Sequence, residues 1–135
     1  MRNFACCCAE SAPDEQADRI REAWRLLRQI DAMAWGAPSA WPRSEELEGM
    51  LASGAYESAV TALLGPEVGF ILSRGGRGIC LATVMLPGSG NEVTAEAGTL
   101  ALALLTALAS ALLDHIDLYG WPMLSPRARD QARPI

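Results

Sequence analysis

The sequence predicts a small α+β protein, in which a three-stranded antiparallel sheet packs against helices in the order α-α-α-β-β-β-α. Three stretches predict it: an amphipathic one over residues 13–33, an alternating one centred on two glycines over residues 68–84, and an uncharged Ala/Leu-rich one over residues 97–113. The chain of 135 residues fits one domain, which can bury a core without disulfides or metals.

Residues 13–33 are predicted to form the first helix. The stretch begins with SAPDE, residue types that favour the N-terminus of a helix. Its large apolar residues recur every three or four positions and form one stripe: Ile20, Trp24, Leu27 and Ile30. Two short helices are predicted to follow, the first capped by Ser44 and ended by Gly54, the second over about residues 55–64.

The stretch ILSRGGRGICLATV, residues 71–84, is predicted to form a β-hairpin. Gly75 and Gly76 tolerate the positive φ of a two-residue turn, which would place Leu72 opposite Ile79. In this register one face is predicted to be core and consists of Val68, Phe70, Leu72, Ile79 and Leu81. The other face is small and fairly apolar, so we expect a helix or a second subunit to cover it; it consists of Gly69, Ile71, Ser73, Gly78, Cys80, Ala82 and Val84.

A third strand and a long helix complete the predicted fold. The strand is expected in NEVTA, and Thr94 is the predicted cap of the last helix. No charged residue occurs from Ala97 to Leu113, and apolar residues occupy every side, which predicts a helix buried on several faces. These 17 residues fall short of the roughly 20 that a bilayer requires, so we expect core rather than a membrane span.

The composition excludes some classes of partner. Basic residues number 11 and acidic residues 16, for a formal net charge of −5 and a pI near 4.8. An acidic chain is a poor partner for nucleic acid or for an anionic membrane, so neither is expected. The complete absence of lysine is typical of a GC-rich bacterial gene. Three adjacent cysteines do not fit a disulfide framework and no signal-peptide pattern precedes them, so the cytoplasm is the expected location.

We assign the single α+β domain to residues 11–118. Residues 1–10 are expected to be a disordered N-terminus, and residues 119–135, which carry three prolines, an extended tail. The N-terminal segment contains the metal-ligand candidates Cys6 and Cys8. A closed zinc site needs four ligands, and no finger-like spacing supplies the others, so we expect reactive thiols and no metal or other cofactor.

Asp114, His115 and Asp117 are the candidate catalytic cluster, because they include the only histidine of the chain. On a helix, Asp114 and Asp117 share a face while His115 points elsewhere. The dipole at a helix C-terminus also favours a histidine that has no function. The cluster is therefore a candidate general base or ligand set that does not converge neatly.

Trp24, Trp35 and Trp41 are the candidate lining of a ligand pocket. Trp35 and Trp41 bracket a connector rich in proline and glycine, where two aromatic side chains can line a pocket or anchor a partner. Closing the edge of a small core is the commoner role of such residues. The GGRG loop matches no phosphate-binding motif, so we interpret it as a hairpin tip.

Self-association is predicted from the scarcity of charge in the middle of the chain. Residues 54–113 contain six charged residues in sixty positions: Glu57, Glu67, Arg74, Arg77, Glu92 and Glu96. One small domain has too much surface to hide such a segment easily, whereas a homodimer would bury a sheet face or the Ala/Leu helix. A further protein partner is the other class of molecule that this surface would fit.

Residues 66–113, together with Trp24 to Leu27, resemble in layout the small phage ABA-sandwich proteins. In that family a tryptophan-containing helix precedes a glycine-turned hairpin, and a helix of the type TA…LAL…AL ends the unit. The family has no established activity, so the resemblance implies a fold and no chemistry. The order helix, three strands, helix also resembles the double-stranded-RNA-binding domain. That family places a lysine cluster where this sequence reads VTAEAGT, so the resemblance implies shared topology without RNA binding.

The sequence therefore favours a non-catalytic cytoplasmic protein, bacterial or prophage-derived, that forms a homodimer and binds a partner. The alternative is a small-ligand-binding or metal-dependent enzyme that uses Asp114, His115 and Asp117.

Overall fold

A small α+β fold is present in the computed structural model, which describes residues 2–30, 42–65, 67–87 and 91–119. The predicted fold class and the predicted order of helices and strands are confirmed. The helices are α1 (Arg2–Glu10), α2 (Gln16–Ile30), α3 (Ser44–Ala52), α4 (Tyr56–Leu64) and α5 (Leu100–Tyr119). The strands are β1 (Gly69–Arg74), β2 (Cys80–Met85) and β3 (Glu92–Ala97), which form one antiparallel sheet in the order β1-β2-β3.

Helix α5 lies at the centre of the molecule. The sheet packs against one side of it, and α1, α2 and α4 pack against its other sides. Every side chain from Ala101 to Ala109 is therefore buried, with helix or sheet on each side. The absence of charge in this stretch follows, because no face of the helix is left to water. None of the helices in the described part of the chain combines the length and apolar character that crossing a bilayer requires.

The hairpin differs from the predicted one in its loop and in its register. The loop has three residues, Gly76–Gly78, and is closed by a hydrogen bond of 2.8 Å from the Gly75 N–H to the Ile79 carbonyl. Arg77 (φ 64°) and Gly78 (φ 73°) adopt the left-handed conformation that such loops require. Leu72 consequently pairs with Ala82 rather than with Ile79.

The longer loop shifts the register by three positions, an odd number, and this reverses the faces of β2. The residues of β2 that are buried against α5 are Cys80, Ala82 and Val84, whereas Leu81, which we expected in the core, lies on the outer face. Ile79 was also expected in the core and is 48% exposed. The inner face is built of small side chains, continued on β3 by Ala95 and Ala97, so α5 can approach the sheet closely.

The N-terminus is helical and packed, in contrast to the predicted disordered segment. Helix α1 contacts α5 and β3. It buries Phe4, Ala5 and Cys8. Cys8 follows Phe4 by four positions, about one helical turn, and Ala5 is adjacent to Phe4, so the three side chains lie on one side of the helix. The residues beyond 119, predicted to be an extended tail, lie outside the described residues.

Local hydrogen bonds fix the helix ends and the position of α2. Thr99, not the predicted Thr94, caps α5: its Oγ1 accepts a hydrogen bond of 3.1 Å from the Leu102 N–H, and Thr94 lies in β3. Predicted helix 13–33 starts as a 3-10 turn at Pro13–Glu15 before α2 begins. Arg21 on α2 binds Glu48 on α3 through two hydrogen bonds, of 2.7 and 2.9 Å.

Candidate interaction surface

The large apolar side chains that remain exposed in the described part of the chain all belong to the β1–β2 hairpin. We call them the hairpin patch: Phe70, Ile71, Ile79, Leu81 and Met85. Their exposed fractions range from 36% for Leu81 to 67% for Ile71. Scattered apolar residues are normal on a protein surface, but five on one hairpin are a concentration that is typical of an interaction site.

The outer face of the sheet has an apolar side and an acidic side. On β2, Leu81 lies between Ser73 of β1 and Glu96 of β3, and Met85 pairs with Glu92 of β3. At the middle of this face the hydroxyls of Thr83 and Thr94 hydrogen-bond across the strands at 2.8 Å. The acidic side chains therefore lie along β3, and the apolar ones along β1 and β2.

Strand β1 is an edge strand with apolar residues on both of its faces. Ile71 is on the outer face and 67% exposed, whereas Phe70 is on the inner face and is still 39% exposed, because α5 packs mainly over β2 and β3. No strand among the described residues pairs with the other side of β1. An edge strand leaves backbone N–H and C=O groups available for another strand, and proteins commonly protect such edges with lysine, proline or a bulge. The sequence of β1, GFILSR, contains neither lysine nor proline.

The charges along the hairpin are segregated by sign. Glu67, two residues before β1, is exposed, and so is Arg74 at the end of the strand. Arg77 in the loop is also exposed. The edge therefore begins with a negative charge and ends with two positive charges.

Two members of the candidate catalytic cluster point away from each other. Asp114 is exposed, whereas His115 is 2% exposed and packed in the interior. Successive helix residues diverge by about 100°, which accounts for the difference. Asp117 is three positions beyond Asp114 on α5, and the structure describes its backbone but not its side chain. The structure thus does not bring Asp114 and His115 to one point where a substrate could contact both.

The metal-ligand candidates Cys6 and Cys8 lie on opposite sides of α1. Cys6 and Cys7 are exposed, and Cys8 is fully buried. Burial raises the pKa of the Cys8 thiol from 9.0 to about 12, so this sulfur stays protonated at neutral pH and is a poor metal ligand. The described ranges contain no group of three histidine, cysteine or acidic side chains arranged to hold a metal ion.

Of the three tryptophans proposed to line a pocket, only Trp24 lies within the described residues. It is half-buried and joins α2 to the segment before α3, because its Nε1–H donates a hydrogen bond of 3.1 Å to the Pro42 carbonyl. The Arg28 guanidinium lies 4.7 Å from the centre of its ring. Both contacts give Trp24 a structural role. Trp35 and Trp41 lie outside the described residues.

A small apolar cavity lies between α1, α2 and α5, beside the places where α1 and α2 contact α5. It is lined by Phe4, Leu27, Leu105 and Leu112 among others, and its volume is about 10 Å³. This volume is at the lower limit for one water molecule, and the lining offers no polar partner. It is a packing defect rather than a ligand site.

The sequence contains a signal for the exposure of Leu81, although we assigned this residue to the core. The pattern GRG at 76–78 fits a three-residue loop as well as GG at 75–76 fits a two-residue loop. Only the first alternative places Leu81 and Met85 on the outer face. No protein-family model, curated protein or solved structure matches this chain.

Proposed function

We propose that the protein is non-catalytic and that its working form is a homodimer assembled through the β1–β2 hairpin. We further propose that it is cytoplasmic and bacterial, from its adjacent cysteines and lysine-free composition, or prophage-derived, from its resemblance in layout to the small phage proteins. A protein partner is the other kind of molecule that such a surface fits. The single observation that carries the proposal is the hairpin patch, whose five members are all at least 36% exposed.

The burial of α5 narrows the choice of interface. The sequence offered two candidates, a sheet face and the Ala/Leu helix. Residues of α5 such as Ala103 and Ala107 have no exposed surface within one subunit, so they are not free to form an interface. Among the described residues, the large apolar side chains that remain exposed lie on the hairpin.

No observation favours the enzyme alternative. Asp114 and His115 diverge, and the small cavity is apolar, so nothing described brings a reactive group to a place where a substrate could bind.

Native mass spectrometry of the untagged, reduced chain over a concentration series tests the proposal. We expect a species of twice the 14.4 kDa subunit mass that becomes dominant as the concentration rises through the micromolar range. A bare monomer at every concentration up to about 100 μM would contradict the proposal. A retained mass that matches a metal or a metabolite would favour the enzyme alternative instead.

A further inference from the structure

We propose that strand β1 pairs antiparallel with β1 of a second copy, about a two-fold axis near Ile71, to form a continuous six-stranded sheet. This inference rests on the proposed self-association and specifies its geometry. It assigns the interface to the strand edge rather than to the outer face of the sheet.

The exposure of β1 on both faces supports an edge contact. A subunit packed onto the outer face would cover Ile71 but would leave Phe70, on the inner face, in water. A strand added beside β1 contacts side chains on both faces, because side chains alternate along a strand. It also pairs the backbone groups that β1 directs away from β2.

The sequence of β1 is complementary to itself in one antiparallel register. With Ile71 opposite the partner's Ile71, Phe70 lies opposite the partner's Leu72, and all the central pairs are apolar. If the partner strand is shifted by two residues in one direction, Phe70 lies opposite the partner's Arg74. A shift in the other direction places Ile71 opposite a glycine. The centred register therefore matches the most apolar surface.

The charges at the ends of β1 identify a second copy as the occupant. In the centred register Glu67 lies level with the partner's Gly75, between the partner's Arg74 and the partner's Arg77. The two-fold axis repeats this arrangement, so the negative end of each β1 lies beside the positive end of its partner, while Glu67 and Arg74, an odd number of positions apart, point to opposite faces of the sheet. A parallel arrangement would bring like charges together, which is unfavourable.

A disulfide between two copies of residue 71 tests the axis directly. Directly opposed residues of antiparallel strands have Cα atoms about 4.5 to 5.5 Å apart, within the range that a disulfide spans. The variant Ile71→Cys is made with Cys6→Ser and Cys7→Ser, which remove the two exposed thiols. Mild oxidation is expected to yield a covalent dimer on a non-reducing gel. The matched control Leu81→Cys lies one strand further from the axis on each side and two residues along the strand from the level of Ile71, so its two sulfurs are roughly 20 Å apart and are expected to remain free.

Charged substitutions separate the edge from the face. Phe70→Lys introduces a charge at the paired edge on the inner side, and Leu81→Lys introduces the same charge on the outer face of β2. We expect Phe70→Lys to raise the dimer dissociation constant about 100-fold or more in analytical ultracentrifugation, because an unpaired charge is buried twice. Leu81→Lys is expected to leave the dissociation constant within about threefold of the wild-type value. Glu67→Arg and Arg74→Glu should each weaken the dimer, and the double variant should recover part of the lost affinity, because Arg77 keeps its positive charge near position 67 of the partner.

The outcomes separate this inference from the proposed function. A wild-type monomer overturns both. A wild-type dimer that loses association with Leu81→Lys, keeps it with Phe70→Lys and gives no disulfide with Ile71→Cys overturns the edge pairing and leaves self-association standing. Circular dichroism spectra of Phe70→Lys are the test of whether this variant is folded. The disulfide result with Ile71→Cys does not depend on the folding of Phe70→Lys.

Discussion

At the scale of single residues, Cys8 shows how one position on a helix determines the chemistry of a side chain. Cys6, Cys7 and Cys8 are adjacent in sequence, yet only Cys8 faces the core. Removal from water destabilises the thiolate, and the nearby Arg19 only partly offsets this effect on the Cys8 pKa. Two neighbouring thiols are thus accessible while the third is protected.

We expect a thiol titration of the reduced native protein at pH 8 to label Cys6 and Cys7 rapidly. Cys8 and Cys80 are buried, so they should react only when the chain unfolds. The measurement is the absorbance of a chromogenic disulfide reagent, followed in buffer and again in about 6 M urea. Rapid labelling of a third thiol in buffer would contradict the burial of Cys8 or of Cys80.

At the scale of elements, the sequence predicted most helices and all three strands. The amphipathic period of α2, the glycines that end α3 and α4 and the uncharged run of α5 are strong local signals. The predicted hairpin register was wrong because RGGRG supports two loop lengths, and the choice between them determines which face of β2 packs against α5. That packing is a tertiary property, which the local sequence does not specify.

Helix α1 was missed for a different reason. Its segment is short and includes three cysteines, so local propensity gives it little weight, and an isolated helix of nine residues is not stable in water. It exists because α5 and β3 provide a surface for Phe4, Ala5 and Cys8. The hairpin patch could not be predicted from local sequence either. The exposure of Leu81 and Met85 depends on the hairpin register, and the register depends on tertiary packing.

Phe4→Ala tests whether α1 contributes to stability. Phe4 is 5% exposed and packs in the core, so we expect the substitution to lower the free energy of unfolding by about 3 kcal/mol. Urea denaturation measures the change. Asn3→Ala, at an exposed position of the same helix, is the control and should have little effect. Equal stability of the two variants would support the disordered terminus that the sequence predicted.

Ala103→Glu tests the central position of α5. Ala103 has no exposed surface, so a glutamate there buries a charge or displaces neighbouring elements, at a cost of at least about 4 kcal/mol. This cost is close to the total stability of a small domain, and we expect loss of the cooperative thermal transition in circular dichroism. Asp114→Ala, at an exposed position of the same helix, should keep the transition. A folded monomeric Ala103→Glu variant would instead support α5 as the dimer interface.

At the scale of the whole molecule, assembly and stability are linked. A dimer that dissociates on unfolding is stabilised by mass action, so its melting temperature should rise with protein concentration. We expect this rise in scanning calorimetry of the wild type over a hundredfold range of concentration, and a much smaller rise for Phe70→Lys. Equal melting temperatures at every wild-type concentration would indicate that the hairpin patch does not assemble the folded protein.

The order of the elements along the chain has a consequence for synthesis. Helix α1 is made first, but its binding surface on α5 begins at residue 100. Translation at about 5–20 residues per second leaves α1 without that surface for roughly 5 to 20 s. During this interval Phe4 is open to chaperones and Cys8 to oxidants, and docking onto α5 ends both exposures. The speed of the ribosome therefore determines how long the core thiol of this protein can be chemically modified.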